Sequence, residues 1–301
     1  MSLLKLIGRG TYGSVYHIAE YRGKKDVGAK VFNATLDFNE EMKGFDLMKD
    51  VTGVWYPQFR GCDAENRVIF MDYVPGPRLS DVTIAPDGFE MAVRLLQSLM
   101  CNLMQLGAHG IVHGDIKGNN LIVDPETMEV VLIDFGMTSR VGEGSRCQYH
   151  PIYRSLRRFL RDVSQHEDDV NAGMITFIIM ILPNILEEWM SCNEYAQMLS
   201  LVSMASPEEM TEIQNEFPNF NLGKPKSIFQ KVILPNLRNA CPGSWSLRQK
   251  DSFVGIFADT MAYPSAVDIL EKIVLFQDAM AEESTQTTYC DKFQCGCECG
   301  C

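Results

Sequence analysis

The sequence predicts an α+β fold of two lobes, a small β-rich lobe at the N-terminus and a larger helical lobe after it. Three observations carry this. Residues 3–32 alternate short strand-like runs with glycine-rich or charged turns, as in an antiparallel meander. From residue 89 onward apolar residues recur at helical spacing. Between the two lies Pro75-Gly76-Pro77, a stiff break. At 301 residues, with 46% hydrophobic and 22% charged content, the chain has enough apolar surface to bury a real core.

The meander reads as strands over Leu3–Arg9, Ser14–Tyr21 and Val27–Phe32, with a charged turn from Arg22 to Asp26. Its first turn runs Gly8-Arg9-Gly10-Thr11-Tyr12-Gly13-Ser14-Val15, a G-x-G-x-x-G-x-V pattern. Because it lies between two strands rather than between a strand and a helix, it suits a flap over nucleotide phosphates better than a dinucleotide-binding turn. Gly8, Gly10 and Gly13 would let backbone approach phosphate closely, with no Cβ in the way. Lys30, two residues after Gly28 on the third strand, is placed to pair phosphates.

Phe38, Met42, Phe45 and Met48 then mark a helix. Its Glu41 is the carboxylate expected to orient Lys30, with the adjacent Glu40 as the alternative, one helical position away. Asn66–Val74 reads as a strand entering the break, where main-chain groups of Asp72 and Val74, beside Met71, would read an adenine. Asp87 and Glu90 form a capping-box-like pair ahead of a helix whose face Ala92, Leu96, Leu99, Met100 and Leu103 is core.

The densest chemistry follows, in Val112-His113-Gly114-Asp115-Ile116-Lys117-Gly118-Asn119-Asn120 and in Asp134-Phe135-Gly136. Leu121–Val123 and Val130–Ile133 read as a tight strand pair around Asp124–Thr127. Pairing them brings Asn120, just before one strand, to Asp134, just after the other. Hard oxygen donors of this kind suit Mg²⁺, which takes few protein ligands and keeps some waters.

On these residues the chain resembles a eukaryotic-type protein kinase from Leu3 to about Phe276. The resemblance implies a bilobal kinase fold, an ATP-dependent transfer to protein hydroxyls, and Mg²⁺ or Mn²⁺ as the metal. It implies Asp115 as catalytic base, Lys117 near the transferred phosphoryl group, Lys30 braced by Glu41, and Asn120 and Asp134 on metal. Gly8, Gly10, Gly13, Val15, Gly28, Lys30, Met71, Asp72, Val74 and Ile122 complete the implied nucleotide site. Lysine two residues after the base is the serine/threonine pattern. The wording His-Gly-Asp-Ile-Lys is like that of the casein-kinase-1 and vaccinia-related branch and of kinases of large DNA viruses. Asp169 matches the aspartate that braces the catalytic loop from a buried helix, and Pro264–Leu270, with Ser265 and Asp268 as a capping box, matches the start of the last kinase helix. Ser206-Pro207-Glu208-Glu209 marks another helix start. The implied layout is a kinase domain over residues 1–278, with an N-lobe to about 74, a hinge over about 72–78 and a C-lobe over 79–278, and a flexible cysteine-rich tail over 279–301.

The pattern departs from the family in four places. Gly114 stands where an arginine usually meets the activation-loop phosphate, which predicts activity without phosphorylation of that loop. No Ala-Pro-Glu closes the segment, and Tyr263 occupies its partner arginine's place, so both halves of an ion pair are gone together. Arg154, Arg157, Arg158 and Arg161 follow helical spacing, either as a cradle for acidic or prephosphorylated protein substrates or as a solvated face. Cys295, Cys297, Cys299 and Cys301 alternate at the end of the tail, without the paired spacing of a structural zinc site.

Charge and hydropathy set the expected partners. With 27 basic against 39 acidic residues the net charge is −12, which disfavours nucleic acid and anionic membranes. Membrane contact is expected only through an acylated tail. Residues 1–8 lack a cationic n-region, an apolar h-region and a cleavage site, so secretion is not expected, and the apolar run Met174–Leu182 falls short of the ~20 residues that span a bilayer. The expectation is therefore an intracellular protein of cytoplasm or nucleus, in a host cell if viral, with its scattered cysteines reduced. Two other classes share parts of the signature: an aminoglycoside-kinase-like small-molecule phosphotransferase, and a pseudokinase scaffold.

Overall fold

The structure, a computed structural model, describes residues 4–85, 88–143, 153, 163–183, 229–262 and 264–293. Its N-terminal part is a five-stranded antiparallel sheet in the order β1-β2-β3-β5-β4, built from β1 (Leu4–Arg9), β2 (Gly13–Tyr21), β3 (Lys24–Phe32), β4 (Phe59–Asp63) and β5 (Val68–Asp72). The third strand starts at Lys24 rather than Val27. Tyr21 pairs with Lys24, so only Arg22 and Gly23 turn, both at positive φ (49° and 76°). A two-residue turn of that hand matches the twist of its strands, and the charged residues after it extend the ladder. Ile18, Val27, Ala29 and Phe70 form a small core in this sheet. Opposite Lys30 the register places Val15 on one side and Ile69 on the other, so the lysine sits mid-sheet.

Helix α1 (Thr35–Met48) buries Phe38, Glu41, Phe45 and Met48, a stripe at i, i+3, i+7 and i+10. Three of those are apolar. The fourth is a carboxylate, and burying one without a partner is costly, so its position on the stripe already points to a cation.

The C-terminal part holds α2 (Phe89–Ala108), α3 (His166–Ile181), α4 (Leu234–Ala240), α5 (Leu247–Phe257) and α6 (Ala266–Phe293). Two short strand pairs lie against them: β6 (Ile111–Val112) with β9 (Ser139–Arg140), and β7 (Leu121–Val123) with β8 (Val130–Leu132). Leu95, Leu96, Leu99, Met100 and Leu103 of α2 meet Val170, Met174, Phe177 and Ile178 of α3 in one core, to which α5 adds Phe253 and α6 adds Phe276. Burying each such side chain contributes roughly 1.5–3 kcal/mol. The apolar run in α3 is thus a core helix, and among the described residues no helix is long and apolar enough to cross a membrane.

Helix α6 opens with the expected capping box: Asp268 Oδ2 accepts the Ser265 N–H at 2.8 Å and Ser265 Oγ accepts the Asp268 N–H at 3.2 Å. It then runs on to Phe293, so residues 279–293 are helical rather than a loose tail. Nothing between Ala279 and Phe293 breaks a helix. There is no glycine or proline, and Ala, Met, Glu and Gln are among the good helix formers. Asp87, the Arg154–Arg161 cluster, Ser206-Pro207, Tyr263 and Cys295–Cys301 lie outside the described residues. Helix α2 begins after Gly88, without a side-chain cap.

Candidate active site

Between the sheet and the helical part lies a cavity of about 600 Å³, within the range of small-molecule sites. Its wall contains Gly8, Gly10, Gly13 and Val15 of the first hairpin, Gly28 and Lys30 of β3, Glu41 of α1, and Met71, Asp72 and Val74 at the break. Lys117, Asn120, Ile122 and Asp134 line the opposite side. Asp115 stands behind this wall and is tied to it through Lys117 and Asn120.

One end of the cavity is built on Lys30. Its Nζ donates to Glu41 Oε2 at 2.8 Å and to Asp134 Oδ1 at 3.0 Å. The register of α1 settles the choice between neighbouring glutamates in favour of Glu41, whose side chain is 2% exposed. Burial alone would discharge Lys30, but the two carboxylates outweigh it and hold the ammonium above the ordinary lysine value. Burial lifts the Glu41 carboxyl to about 7 against the pull of Lys30, with Asp134 adding to the rise. Asp134 would also rise by burial, yet Lys30 keeps it below the usual carboxylate range. The Phe135 N–H donates to Glu41 Oε1 at 3.2 Å, so the glutamate grips both the lysine and the start of the Phe-Gly turn. Gly44, one turn after Glu41, makes this grip sterically feasible: a Cβ there would lie 2.1 Å from the Phe135 carbonyl oxygen.

The other end is the loop from His113 to Asn120. Asp169, near the start of α3, accepts the N–H of His113 at 2.6 Å and of Gly114 at 2.9 Å. Gly114 has φ 84°, a conformation that an L side chain reaches at a cost of about 1–2 kcal/mol. The clasp and the glycine act together, since Gly114 at this φ presents its own N–H and that of His113 to one carboxylate. Replacing Asp169 by alanine strands both buried donors, so we expect a loss of about 2–4 kcal/mol, seen as a lower midpoint in denaturant. An unchanged midpoint would show that the clasp holds nothing.

His113 is fully buried, and its Nε2–H donates to the Ile133 carbonyl at 3.2 Å while Nδ1 accepts the Asp115 N–H at 3.3 Å. Burial lowers its pKa, so it is a neutral strut between the two loops. Asp115 Oδ2 accepts from Lys117 Nζ at 2.8 Å and from Asn120 Nδ2 at 2.7 Å. Burial raises the Asp115 pKa more than Lys117 lowers it. The ladder of β7 and β8 pairs Leu121 with Leu132, and the Ile133 N–H then donates to the Asn120 carbonyl at 3.0 Å. This carries Asp134, at φ 70°, to the same wall as Asn120.

The donor set fits a hard cation. Asn120 spends its amide nitrogen on Asp115, which leaves its side-chain oxygen with no hydrogen bond among the described residues. Asp134 has one oxygen on Lys30 and is 29% exposed, so a carboxylate and an amide oxygen share the cavity wall. The cavity also takes in Tyr12, Arg78 and Asn119, which the sequence did not single out. Arg78 directly follows Pro75-Gly76-Pro77, and that was the only signal available.

A backbone flap, a buried lysine held by two carboxylates, and a second carboxylate–lysine–asparagine group on one cleft define a nucleotide-dependent phosphotransferase architecture of protein-kinase type. The chain belongs to the protein kinase domain family, whose profile matches residues 1–155. It is 28% identical over 149 residues to serine/threonine-protein kinase 4 homolog B of Dictyostelium discoideum, covering 48% of this chain and 13% of that protein. It is 30% identical over 148 residues to mitogen-activated protein kinase kinase kinase 19 of Homo sapiens, covering 46% of this chain and 11% of that protein. Serine/threonine-protein kinase fray1 of Dictyostelium discoideum is 30% identical over 158 residues, 48% of this chain and 27% of that protein. The chain therefore spans only a minor part of the length of these relatives.

Proposed function

We propose that this protein is a serine/threonine protein kinase that transfers the γ-phosphoryl group of ATP to a protein hydroxyl. The observation that supports it most is that Lys30, Glu41 and Asp134 share one cleft with Lys117 and Asn120, the two residues that hold Asp115. Bound Mg·ATP supplies the phosphoryl group and the metal charge, and Asn120 and Asp134 are the residues to hold the metal. In this reading Lys30, kept charged by its two carboxylates, aligns phosphate oxygens beneath the glycine-rich turn. Asp115 orients the acceptor hydroxyl and takes its proton, and the burial that raises its pKa strengthens it as a base. Lys117, already beside Asp115, offsets charge on the group in transit. Main-chain groups of Asp72 and Val74 receive the base beside Met71, Gly28 and Ile122. The likeness of the catalytic loop to the casein-kinase-1 branch rests on His113–Asn120 alone.

Labelled ATP offered with generic protein substrates, and separately with aminoglycosides, tests the reading. Transfer to serine or threonine of protein supports it, and transfer to the small molecules alone overturns it.

Gly114 carries a second part of the proposal. With no side chain there to meet a phosphate, and with the loop already clasped by Asp169, the catalytic loop is set without a phosphorylated activation segment. Phosphatase treatment of the purified protein is expected to change its activity by less than twofold, measured against a mock-treated sample. Abolished activity would refute this part.

A further inference from the structure

The charges of the cleft wall are unevenly matched. Lys30 is saturated by Glu41 and Asp134, Lys117 is paired with Asp115, and Asp72 is paired with Arg60. Two lining arginines are left over among the described residues, Arg78 and the exposed Arg9 of the flap. Arg78 is the half-buried one, and it makes no ion pair or side-chain hydrogen bond among the described residues. Its neighbour Asp81 donates a backbone N–H to the Arg78 carbonyl at 2.9 Å, but the Asp81 carboxylate is exposed and leaves the guanidinium alone.

Three contacts fix where that cation stands. Above it, a Cβ on Gly8 would come within 3.1 Å of an Arg78 terminal nitrogen, so the guanidinium lies under the first glycine of the flap. Behind it, Arg78 is bridged to Ile122. Beside it, the turn Leu79–Asp81 packs on the catalytic loop so tightly that a Cβ on Gly118 would meet Ser80 at 3.0 Å. Arg78 therefore stands at the mouth of the cleft, between the flap and the loop that carries Asp115 and Lys117. Base and sugar bring no charge to this place, and the phosphates belong at the Lys30 end. With the phosphates assigned to Lys30 in the kinase reading, an anion meeting Arg78 is assigned to the acceptor.

We infer that Arg78 reads an anionic side chain, carboxylate or phosphoryl, next to the hydroxyl that the protein substrate presents. This rests on the kinase reading above and names its substrate class. A guanidinium without an ion-pair partner among the described residues is suited to such a group, and a charge-assisted pair shielded by the flap is stronger than one on open surface.

The test uses the full chain, labelled ATP and three peptides with one serine flanked by neutral residues, by glutamate or by phosphoserine. The wild type is expected to favour the glutamate or phosphoserine peptide over the neutral one by about tenfold in kcat/KM. Which of the two is preferred identifies the anion. Arg78→Ala is expected to collapse that ratio to near one. Arg78→Glu is expected to turn the preference toward a lysine-flanked peptide, a gain that a misfolded variant cannot show. Equal kcat/KM of the wild type for all peptides overturns this inference alone. So does a ratio that survives Arg78→Ala while KM for ATP rises, which would assign the guanidinium to the nucleotide. Absence of transfer to any peptide by the wild type overturns the kinase reading and this inference with it.

Discussion

Asp115→Asn is expected to lower kcat for phosphotransfer by about a thousandfold, the middle of the range for a positioned general base. The asparagine keeps the shape and still meets Lys117 and Asn120, so Mg·ATP binding, followed by thermal shift, should survive. The pH profile adds an independent check. The base must be ionised to take a proton, and burial raises the Asp115 pKa, so activity falls as the solution is acidified through that raised value. The acid limb of kcat/KM should therefore lie above the ordinary aspartate range, near 3.9. Asp134, held low by Lys30, stays ionised throughout and does not contribute to that limb. An Asp115→Asn protein with a tenth of wild-type kcat would remove Asp115 from the role of base.

Lys30→Met should cost both activity and stability. Without the ammonium, Glu41 and Asp134 face each other with no cation between them. With Glu41 only 2% exposed, water screens little of the penalty, and breaking a buried pair from one side typically costs about 3–5 kcal/mol. Asp134 is 29% exposed, which places the loss toward the lower end. Glu41, already lifted to about 7, takes up a proton once the cation is gone, so adding Glu41→Gln should regain stability mainly above neutral pH, while phosphotransfer stays absent. Chemical denaturation measures the first quantity and labelled ATP the second. A Lys30→Met protein as stable as the wild type would mean that the pair is not worth what its geometry implies.

The parts of the site legible in the sequence are those that lie close together along the chain. His113–Asn120 and Asp134–Gly136 flank a hairpin only a few residues long, so strand propensity alone brought Asn120 and Asp134 to one wall. The glycine-rich turn was legible for the same reason. Glu41 was not separable from Glu40, because the register of α1 depends on a start at Thr35, which carries no side-chain cap. Strand β4 went unseen: Arg60, Gly61 and Asp63 interrupt its apolar pattern, and as an edge strand it is held by pairing with β5 and by the Arg60–Asp72 bridge. Arg78 was invisible as a cleft residue since nothing local says which way a side chain after a proline-glycine break will point. The length of α6 is not legible because polar composition does not distinguish a loose tail from an exposed helix, and 279–293 mixes good formers with Ser, Thr and Asp.

The closeness of Gly44 to Phe135 has a mechanical consequence. The helix bearing Glu41 and the turn bearing Asp134 meet with no clearance, since one methyl group would not fit between them. A joint without clearance transmits displacement rather than absorbing it. Whatever shifts α1 by less than the width of a methyl group, whether a partner resting on its exposed side or a ligand wedged beneath it, pushes on Phe135 and so on the turn that carries Asp134.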